Sequence, residues 1–429
     1  MNVRFADLTK ALYVFAVLTL SFGSGATKAS AATVGIGDTT IVAFSNEPMD
    51  LFHDSVTKKL LFPSATVPYK QVIMLCSLSC PELGCDPWDR IASVIVNTTS
   101  GGKPMDVEIG RYCTPYGRSC TFAIDVSDFR PLLADSVTLL DDVATFIGGG
   151  QGLLSTISFH FVAGTPDLVP YKVVSLWSGK PEFGNPNHPI DSLLVPLALP
   201  YEAGADFVKI RVTTTGHGQG NTDDAAEFAQ KTHYLEANGN EMSHILWRDD
   251  CDRTPCSPQY GSWRVSRAGF CPGSDVRPWD NDITSFIKPG QPLTLEYKPQ
   301  TYVNNCRPDA EHPDCAKPEY NFIDHARPFF WIEACIVYYR VAEDTKHLFE
   351  QYFDLEKDDK GMLRLKSKVH APEEINIYIY TATGKEMLHE VRHTSYNDQF
   401  TLDLATEPGT YLLKIQKGTE VIRKKIVVG

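Results

Sequence analysis

Short segments rich in β-branched and aromatic residues recur along the whole 429-residue chain, and they limit the folds that it can adopt. Turns rich in Gly, Pro and Asn separate them, and helical periodicity over long windows is scarce. Many short strands with frequent turns favour antiparallel sandwiches over a parallel α/β sheet. The sequence therefore predicts an all-β protein, with strands that include residues 71–75, 91–97, 122–126, 157–162, 171–177, 207–215, 293–297 and 329–339.

Two boundaries divide this pattern into three blocks. A turn-rich stretch at residues 162–167 forms the first, and a densely charged stretch at 354–360 marks the second. Beyond it, strict alternation in 374–380, 400–404 and 411–415 predicts a small Ig-like β-sandwich. The expected parts are a leader (1–31), two β domains (32–166 and 167–342) and a linker with the terminal sandwich (343–429).

The leader has the features of a secretory signal peptide. Arg4 and Lys10 precede an apolar run over residues 11–22, and a small-residue cleavage motif, Ala29-Ser30-Ala31, follows. The run is too short for a stable spanning helix, and no later segment approaches the ~18 apolar residues of one. We expect an exported protein without membrane insertion.

The charge composition argues against two classes of binding partner. The chain has 40 Lys and Arg against 53 Asp and Glu, a formal charge of −13, and contains no basic run. A net acidic surface of this kind argues against binding to nucleic acid or anionic membranes through bulk electrostatics. The expected binding partners are therefore neither nucleic acids nor anionic membranes.

The 11 cysteines agree with export. Several fall in close pairs, namely Cys80 with Cys85, Cys113 with Cys120, and Cys306 with Cys315. Short loops closed by disulfides suit an oxidising compartment. A metal site is disfavoured because no C-x-x-C pair repeats and no His pair has ligand spacing, so no metal or other cofactor is expected. The odd total leaves a free thiol, for which the apolar surroundings of Cys76 and Cys335 are the best candidates.

An acidic cluster follows the first cysteine pair. Asp86, Trp88, Asp89 and Arg90 lie directly after Cys85 and immediately before a predicted strand. Hydrolysis of an amide or glycosidic bond needs a carboxylate that can handle a proton or a water molecule. An indole face beside it suits the apolar side of a sugar ring. The alternative is an Asp turn followed by a surface Asp–Arg pair.

Glu227 is the second candidate acid. It lies in a small apolar patch, residues 225–229, where burial would raise its pKa. The preceding glycine-rich stretch, 216–220, allows close approach of a ligand to the backbone, but no Lys-Ser/Thr follows as in a phosphate-binding loop. A third cluster, 262–273, combines Arg and aromatic residues beside Cys271.

The order of these segments resembles the bacterial peptide-N-glycosidase F family, amidases that release N-linked glycans. The resemblance covers roughly residues 34–339. It rests on Cys80-x4-Cys85-Asp86-x-Trp88-Asp89-Arg90, Glu108-Ile109-Gly110-Arg111 with Thr114-Pro115-Tyr116, Val126-Ser127-Asp128-Phe129, Gly164-Thr165-Pro166-Asp167, Ala226-Glu227 with Thr232-His233, and Arg267-Ala268-Gly269-Phe270-Cys271-Pro272-Gly273. It implies two packed eight-stranded jelly rolls with the site in the cleft between them.

The same resemblance implies roles for individual residues. The family's principal catalytic Asp falls on Asp89 and its second acid on Glu227, while Arg90 and Arg267 match its substrate-contacting arginines. The reaction implied is hydrolysis of the amide between GlcNAc and Asn in N-linked glycoproteins or glycopeptides. Trp88 would line the sugar platform. Asp86 is expected to be structural, and Cys251–Cys271 has the family's disulfide spacing.

The chain also departs from the family pattern. Ala144 stands where the family has a third acid and Phe146 where it has a nearby Trp, with Asp142 two residues away as a candidate replacement. His217 occupies the position of a Trp in a Gly-Trp-Gly loop. Ala225 and Ala229 replace the disulfide that flanks the second acid. We include His217, Asp142 and Phe146 among the expected substrate-binding residues.

The terminal sandwich resembles the sorting domain of the type IX secretion route of some Gram-negative bacteria. The matching motifs are Gly384-Lys385-Glu386, Leu402-x-Leu404 and Pro408-Gly409-x-Tyr411. The resemblance implies recognition by the secretion machinery and a secreted or cell-surface location. The alternative is an additional carbohydrate- or protein-binding sandwich.

Two rival functions fit the same fold. A copper monooxygenase needs clustered imidazoles, but the 12 His residues include no H-x-H or H-H pair. A non-catalytic glycan-binding lectin or adhesin is favoured by the missing acid at Ala144. Retention of Asp89 and Glu227 together with both arginines argues for the enzyme instead. A monomer is expected.

Overall fold

The computed structural model describes residues 37–100, 102–185, 188–218, 226–302, 328–342, 346–357, 362–403 and 408–428. The expected signal peptide lies outside these ranges, as do Cys306, Cys315, Leu404 and residues 219–225. Antiparallel strands dominate the described ranges, so the all-β prediction is confirmed. No helix within them has both the length and the apolar character needed to cross a membrane.

The first sandwich comes mainly from the first half of the chain. Its strands are β1 (Thr39–Met49), β2 (Ser55–Phe62), β3 (Tyr69–Ser79), β4 (Ile91–Ser100), β5 (Lys103–Cys113), β6 (Cys120–Asp125), β7 (Asp135–Val143) and β8 (Leu153–Ala163). One sheet has the order β1-β8-β3-β6, and the other is β14-β5-β4-β7-β2, with β14 (Ser274–Asp275) supplied by the second half. Alternate residues point inward, and fully buried Phe44, Val94, Leu139 and Phe159 form the core.

The second sandwich has the same construction. Its strands are β9 (Leu168–Gly179), β10 (Leu197–Leu199), β11 (Phe207–His217), β12 (Lys231–Ala237), β13 (Asn240–Leu246), β15 (Trp279–Asp282), β16 (Leu293–Pro299) and β17 (Phe329–Val341). They pair in the orders β10-β16-β12-β13 and β15-β11-β17-β9. Ile210, Leu235, Tyr297 and Ile332 are buried between these sheets. Short 3₁₀ turns occur at Ser127–Phe129, Ile190–Ser192, Cys251–Arg253 and Thr284–Phe286.

The C-terminal segment forms a third, smaller sandwich. It consists of α1 (Lys346–Tyr352), β18 (Phe353–Lys357), β19 (Leu363–Ser367), β20 (Glu373–Tyr380), β21 (Glu386–Thr394), β22 (Gln399–Leu402), β23 (Gly409–Lys417) and β24 (Glu420–Val428). The sheets are β18-β19-β22 and β21-β20-β23-β24. Phe353, Ile377, Leu413 and Ile422 fill its core. The exact domain boundaries given above stay a prediction.

The third sandwich contacts the connection between the first two. Asp167 lies between β8 and β9, where the chain passes from one sandwich to the next. Its carboxylate oxygens lie 2.8 Å from Lys414 Nζ and 2.6 Å from Arg423 Nε. The backbone N–H of Ala382 donates to Asp282 of the second sandwich at 3.0 Å. These contacts hold the terminal sandwich against both halves of the preceding chain.

A charge cluster joins the first and second sandwiches. Asp128, in the 3₁₀ turn that precedes β7, lies 2.6 Å from Lys209 Nζ and 2.9 Å from Arg211 Nη2, both on β11. Asp280 on β15 balances the same two cations, and Tyr339 donates a hydrogen bond to Asp128 at 2.6 Å. The two cations hold the pKa of Asp128 at about 2 although its burial acts to raise it.

The cysteine predictions were partly wrong. Cys80–Cys85 and Cys251–Cys271 form disulfides as expected, but Cys120 pairs with Cys256 and not with Cys113. Cys113 ends β5 and Cys120 begins β6, which belong to opposite sheets of the first sandwich. The Cα atoms of Cys120 and Cys256 lie 5.5 Å apart, within the range that a disulfide spans. Cys113 is a buried free thiol, and so are Cys76 and Cys335, as predicted.

Replacement of Asp128 by Asn tests the charge cluster. The variant leaves Lys209 and Arg211 with one carboxylate, and loss of one partner of a buried ion pair costs about 3–5 kcal/mol in the free energy of unfolding. The loss is expected in full above about pH 4 and should shrink as pH falls towards 2, because the stabilisation requires ionised Asp128.

Denaturant unfolding between pH 2 and 7 measures this effect. The matched control is Asp252→Asn, which removes an exposed pair with Arg253 and should change the free energy of unfolding by less than about 1 kcal/mol. Equal losses for the two variants would contradict the role given to Asp128.

Candidate active site

The acidic cluster after Cys85 is organised by Asp86. Its buried carboxylate accepts hydrogen bonds from the backbone N–H of Trp88 at 2.9 Å and from Thr145 Oγ1 at 2.8 Å. Arg90 Nε lies 2.7 Å from the same group. The Cys80–Cys85 disulfide closes the loop just before it. Asp86 therefore has the structural role expected from the sequence, since its contacts fix the turn that presents Asp89.

Asp89 points away from this turn towards the second sandwich. Its side chain is 18% exposed, and its Oδ2 atom lies 3.3 Å from Nη1 of Arg267. The thiol of Cys113 at the end of β5 lies 3.8 Å from the same oxygen. The carboxylate is thus held by groups from both halves of the chain while one side stays open to solvent.

Glu227 is held by unusual backbone geometry in the second sandwich. Ala226, which precedes it, is fully buried with φ of 81°, a conformation that non-glycine residues adopt only at an energetic cost. Gly216 on β11 makes room for it, because a Cβ there would lie 1.7 Å from the Ala226 carbonyl oxygen. The N–H of Gly218 donates to Glu227 Oε2 at 3.1 Å. This arrangement positions the Glu227 carboxyl at the end of β11.

Arg267 connects the two acids. Its guanidinium is buried, with Nη1 near Asp89 and Nε 3.5 Å from Glu227 Oε1. Nη2 donates to Tyr116 Oη and to Ser262 Oγ, each at 3.0 Å. Nε and Nη1 are at ion-pair distance from the acids, but neither has a hydrogen-bond partner of good geometry among the described residues. Both nitrogens are buried, so the positive charge of Arg267 acts mainly on the two carboxylates.

The electrostatics favour proton exchange at Glu227. Burial raises its pKa to about 7, the charge of Asp89 acts in the same direction, and Arg267 opposes both. A carboxyl group with this pKa can hold or release a proton near neutral pH. Among the described residues no cluster of three or more His, Cys, Asp or Glu could hold a metal ion, and the absence of a cofactor stays a prediction.

The aromatic residues expected at the site are exposed to solvent, Trp88 next to Asp89 in the chain and Phe146 against Arg90. The Phe146 ring centroid lies 5.2 Å from the guanidinium carbon of Arg90, which Asp86 holds. Trp88, Phe146 and Arg90 thus share one surface next to Asp89. Their contact with substrate stays a prediction.

His217 and Asp142 occupy separate positions. His217 at the end of β11 bonds through Nε2 to Thr215 Oγ1 at 2.7 Å and packs between Phe270 and Phe329. Burial and the charge of Arg111 lower its pKa to about 3, so it is neutral. Asp142 on β7 is half-buried. This burial raises its pKa, and the positive charge of Lys180 acts to lower it. His217 and Arg267 pack against the same Phe270 ring, whereas Asp142 has no contact with Asp89 or Arg267 in the described part of the chain. The roles of both residues stay predictions.

Three residues at the site were given no role from the sequence. Tyr116 and Ser262 bind Nη2 of Arg267, and Cys113 contacts Asp89. Burial, with the nearby Asp89, raises the pKa of Tyr116 to about 12, so its hydroxyl stays protonated. Tyr116 and Ser262 lie within the conspicuous Thr114-Pro115-Tyr116 and 262–273 segments. Cys113 was not considered as a site residue because its sequence spacing suggested a disulfide with Cys120.

Replacement of Glu227 by Gln tests the pKa at this site. A buried carboxyl with a raised pKa binds its proton more tightly in the folded state, so wild-type stability should fall relative to the variant as pH rises from about 4.5 to 7. The relative loss should reach roughly 3 kcal/mol at pH 8.

Unfolding at pH 5 and pH 8 measures this difference independently of activity. Glu241→Gln on β13 is the matched control, because that side chain is exposed, and it should show no such trend. A wild-type protein and Glu227→Gln variant with parallel pH profiles would show that Glu227 titrates in its ordinary range.

The chain is similar to proteins of known family. Residues 188–317 match the model of the C-terminal domain of peptide-N-glycosidase F, and residues 359–429 match the secretion system C-terminal sorting domain. With that tail, the protein is one that is secreted or displayed at the cell surface. This agrees with the location expected from the sequence.

Similar proteins cover most of the chain. The amidase F of Elizabethkingia miricola, a peptide-N(4)-(N-acetyl-β-D-glucosaminyl)asparagine amidase, is 30% identical over 258 residues, which are 57% of this chain and 72% of that protein. A crystal structure of such an amidase superposes with a TM-score of 0.61 at 24% identity, covering 71% of this chain and 97% of that one. The structure of PNGase F from Flavobacterium meningosepticum gives 0.57 at 24% identity, with 72% and 97% covered. The chain therefore belongs to the peptide-N-glycosidase F family of amidases.

Proposed function

We propose that the protein hydrolyses the amide bond between GlcNAc and the Asn side chain of N-linked glycoproteins or glycopeptides. The Asn becomes Asp, and the glycan leaves as a glycosylamine. The observation that carries this proposal is the arrangement of Asp89 and Glu227, one from each sandwich, on either side of the buried Arg267. Family membership supports the amidase class, and the pair of acids supports hydrolysis.

The contacts suggest a separate role for each of these residues. Water attacks the amide carbon, and Asp89 takes part in removing its proton. Negative charge then develops on the amide oxygen, where the positive charge of Arg267 between the two acids would stabilise it. The C–N bond breaks, and the sugar nitrogen leaves with a proton as the glycosylamine. Glu227, with its pKa of about 7, orients water or sugar hydroxyls from the second sandwich.

The exposed surface beside Asp89 would bind the sugar. Trp88 and Phe146 offer aromatic faces for a sugar ring, and Arg90 lies between them and Asp86. His217 lies at the end of β11 beside Gly218, which binds Glu227, and Asp142 lies on β7; both would contact other parts of the substrate. The protein acts as a monomer in this proposal, after removal of residues 1–31 and recognition of the tail by the secretion machinery.

One observation favours a non-catalytic glycan-binding protein instead. Ala144 stands in place of the family's third acid, and no contact brings Asp142 to Arg267 among the described residues. A lectin or adhesin would keep the sugar platform without needing the acid pair. Turnover of a glycopeptide separates the two functions.

Mass spectrometry of an N-glycopeptide incubated with the purified protein tests the proposal. We expect loss of the whole glycan and conversion of its Asn to Asp. Asp89→Ala should reduce kcat/KM by about 10³-fold, in the range attributed to a general acid or base. Exposed Asp191→Ala, in the 3₁₀ turn at Ile190–Ser192, is the matched control and should keep wild-type activity.

Two results would count against the amidase. Cleavage between the two core GlcNAc units would show glycosidase chemistry, and the role given to Asp89 would be wrong. Binding of an unchanged glycopeptide would identify the protein as a lectin.

A further inference from the structure

A group of exposed apolar side chains lies beside the candidate site. Leu51, Phe52, Leu83 and Phe146 are 50%, 78%, 65% and 73% exposed, and we call these four residues the apolar rim. They come from the β1–β2 connection, the disulfide loop and the segment after β7. Grouped exposed apolar side chains of this kind mark an interaction site, whereas apolar side chains exposed singly are common on protein surfaces. Of the four, only Phe146 has a place in the sugar site proposed above.

Backbone contacts bring these three loops together. The N–H of Leu51 donates to the carbonyl of Ile147 at 2.7 Å. A Cβ at Gly148 would lie 3.6 Å from Leu51, and one at Gly150 would lie 2.7 Å from Leu83 Cδ1. Leu51 and Leu83 therefore lie on either side of Gly149, whose own Cβ would meet no atom within 4 Å. The rim is a continuous surface with a strip of bare glycine backbone at its centre.

The rim is continuous with the residues around Asp89. Leu83 lies inside the Cys80–Cys85 loop that leads directly to Asp86 and Asp89. Thr145, adjacent to Phe146, donates to Asp86. A polypeptide whose glycosylated Asn reaches Asp89 can therefore extend over this surface.

We propose that the apolar rim binds the polypeptide of the glycoprotein substrate through apolar side chains close to the glycosylated Asn. The proposal rests on the proposed function, because an amide between sugar and Asn requires that the site accept a polypeptide as well as a glycan. Branched aliphatic side chains such as Leu51 and Leu83 lack the flat face on which sugar rings stack, which favours peptide over glycan as the occupant. The bare backbone of Gly149 leaves room for an extended chain between them.

A second copy of the protein is a less suitable occupant. Stable dimers bury about 800 Å² on each partner, which is more than four partly exposed side chains provide. Two or three apolar side chains of a peptide match the size of the rim. Such a contact selects glycoproteins whose glycosylated segment is unfolded or extended, since apolar residues near the Asn are otherwise buried.

Glycopeptides with one glycan and different flanking residues test the proposal. One peptide carries Leu and Phe beside the glycosylated Asn, and the other carries Ser and Gln at the same positions. Wild-type kcat/KM should favour the apolar peptide by about tenfold, a difference within reach of one or two buried apolar side chains. The double variant Phe52→Ser, Leu83→Ser should reduce this ratio to about one. Ile245→Ser, an exposed apolar residue on β13, should leave the ratio unchanged.

Binding of the same peptides, measured by fluorescence anisotropy, keeps the test independent of turnover. If neither peptide is hydrolysed but the wild type still binds the apolar one more tightly, and the double variant does not, the rim proposal stands and the amidase proposal fails. Equal kcat/KM and equal binding for the two peptides would overturn the rim proposal and leave the amidase intact. A loss in the double variant that follows glycan size, or a change in its oligomeric state, would likewise overturn it.

Discussion

A buried guanidinium needs anionic or polar partners, and at Arg267 this requirement links the two sandwiches. The residue belongs to the second half of the chain, yet Tyr116 and Asp89 of the first half supply two of its partners. Ser262 and Glu227 supply the others from its own half. Withdrawal of either half would leave a buried cation without adequate compensation. The same contacts that stabilise Arg267 place the two acids at one point, so the geometry of the site follows from the burial of one charge.

The ion pairs of Asp128 stabilise the contact between the two sandwiches at a distance from the site. Its ion pairs with Lys209 and Arg211 fix the 3₁₀ turn of the first sandwich against β11. The far end of β11 carries Gly216 and His217, next to Glu227. One strand therefore connects the charge cluster to the candidate acid Glu227. Asp167, in the connection between the two sandwiches, forms ion pairs with Lys414 and Arg423 of the sorting domain.

Much of the fold and part of the site could be predicted from the sequence. The segments at 207–215 and 329–339 lie within strands whose β-branched and aromatic residues are mostly buried, and 71–75 lies in a strand with alternate residues buried. The acids Asp89 and Glu227 were found because each lies in a local pattern, a disulfide turn and an apolar patch. Partners far apart in the chain leave no such local signal. The pairing of Cys120 with Cys256 and the contact of Cys113 with Asp89 depend on which sheet each strand joins, and sequence spacing pointed to the wrong partner.

Both halves of the chain contribute to the site, and strand β14 limits how such proteins can evolve. Ser274 and Asp275 pair with Cys113 and Tyr112, so the second half of the chain supplies an edge strand to a sheet of the first. Arg267 lies just ahead of that strand and reaches Asp89 across the same boundary. Exchange of one sandwich between relatives by recombination would break a sheet and unpair a buried charge in a single event. The two halves are therefore expected to be inherited together, and diversity within the family should accumulate in the loops that carry the apolar rim.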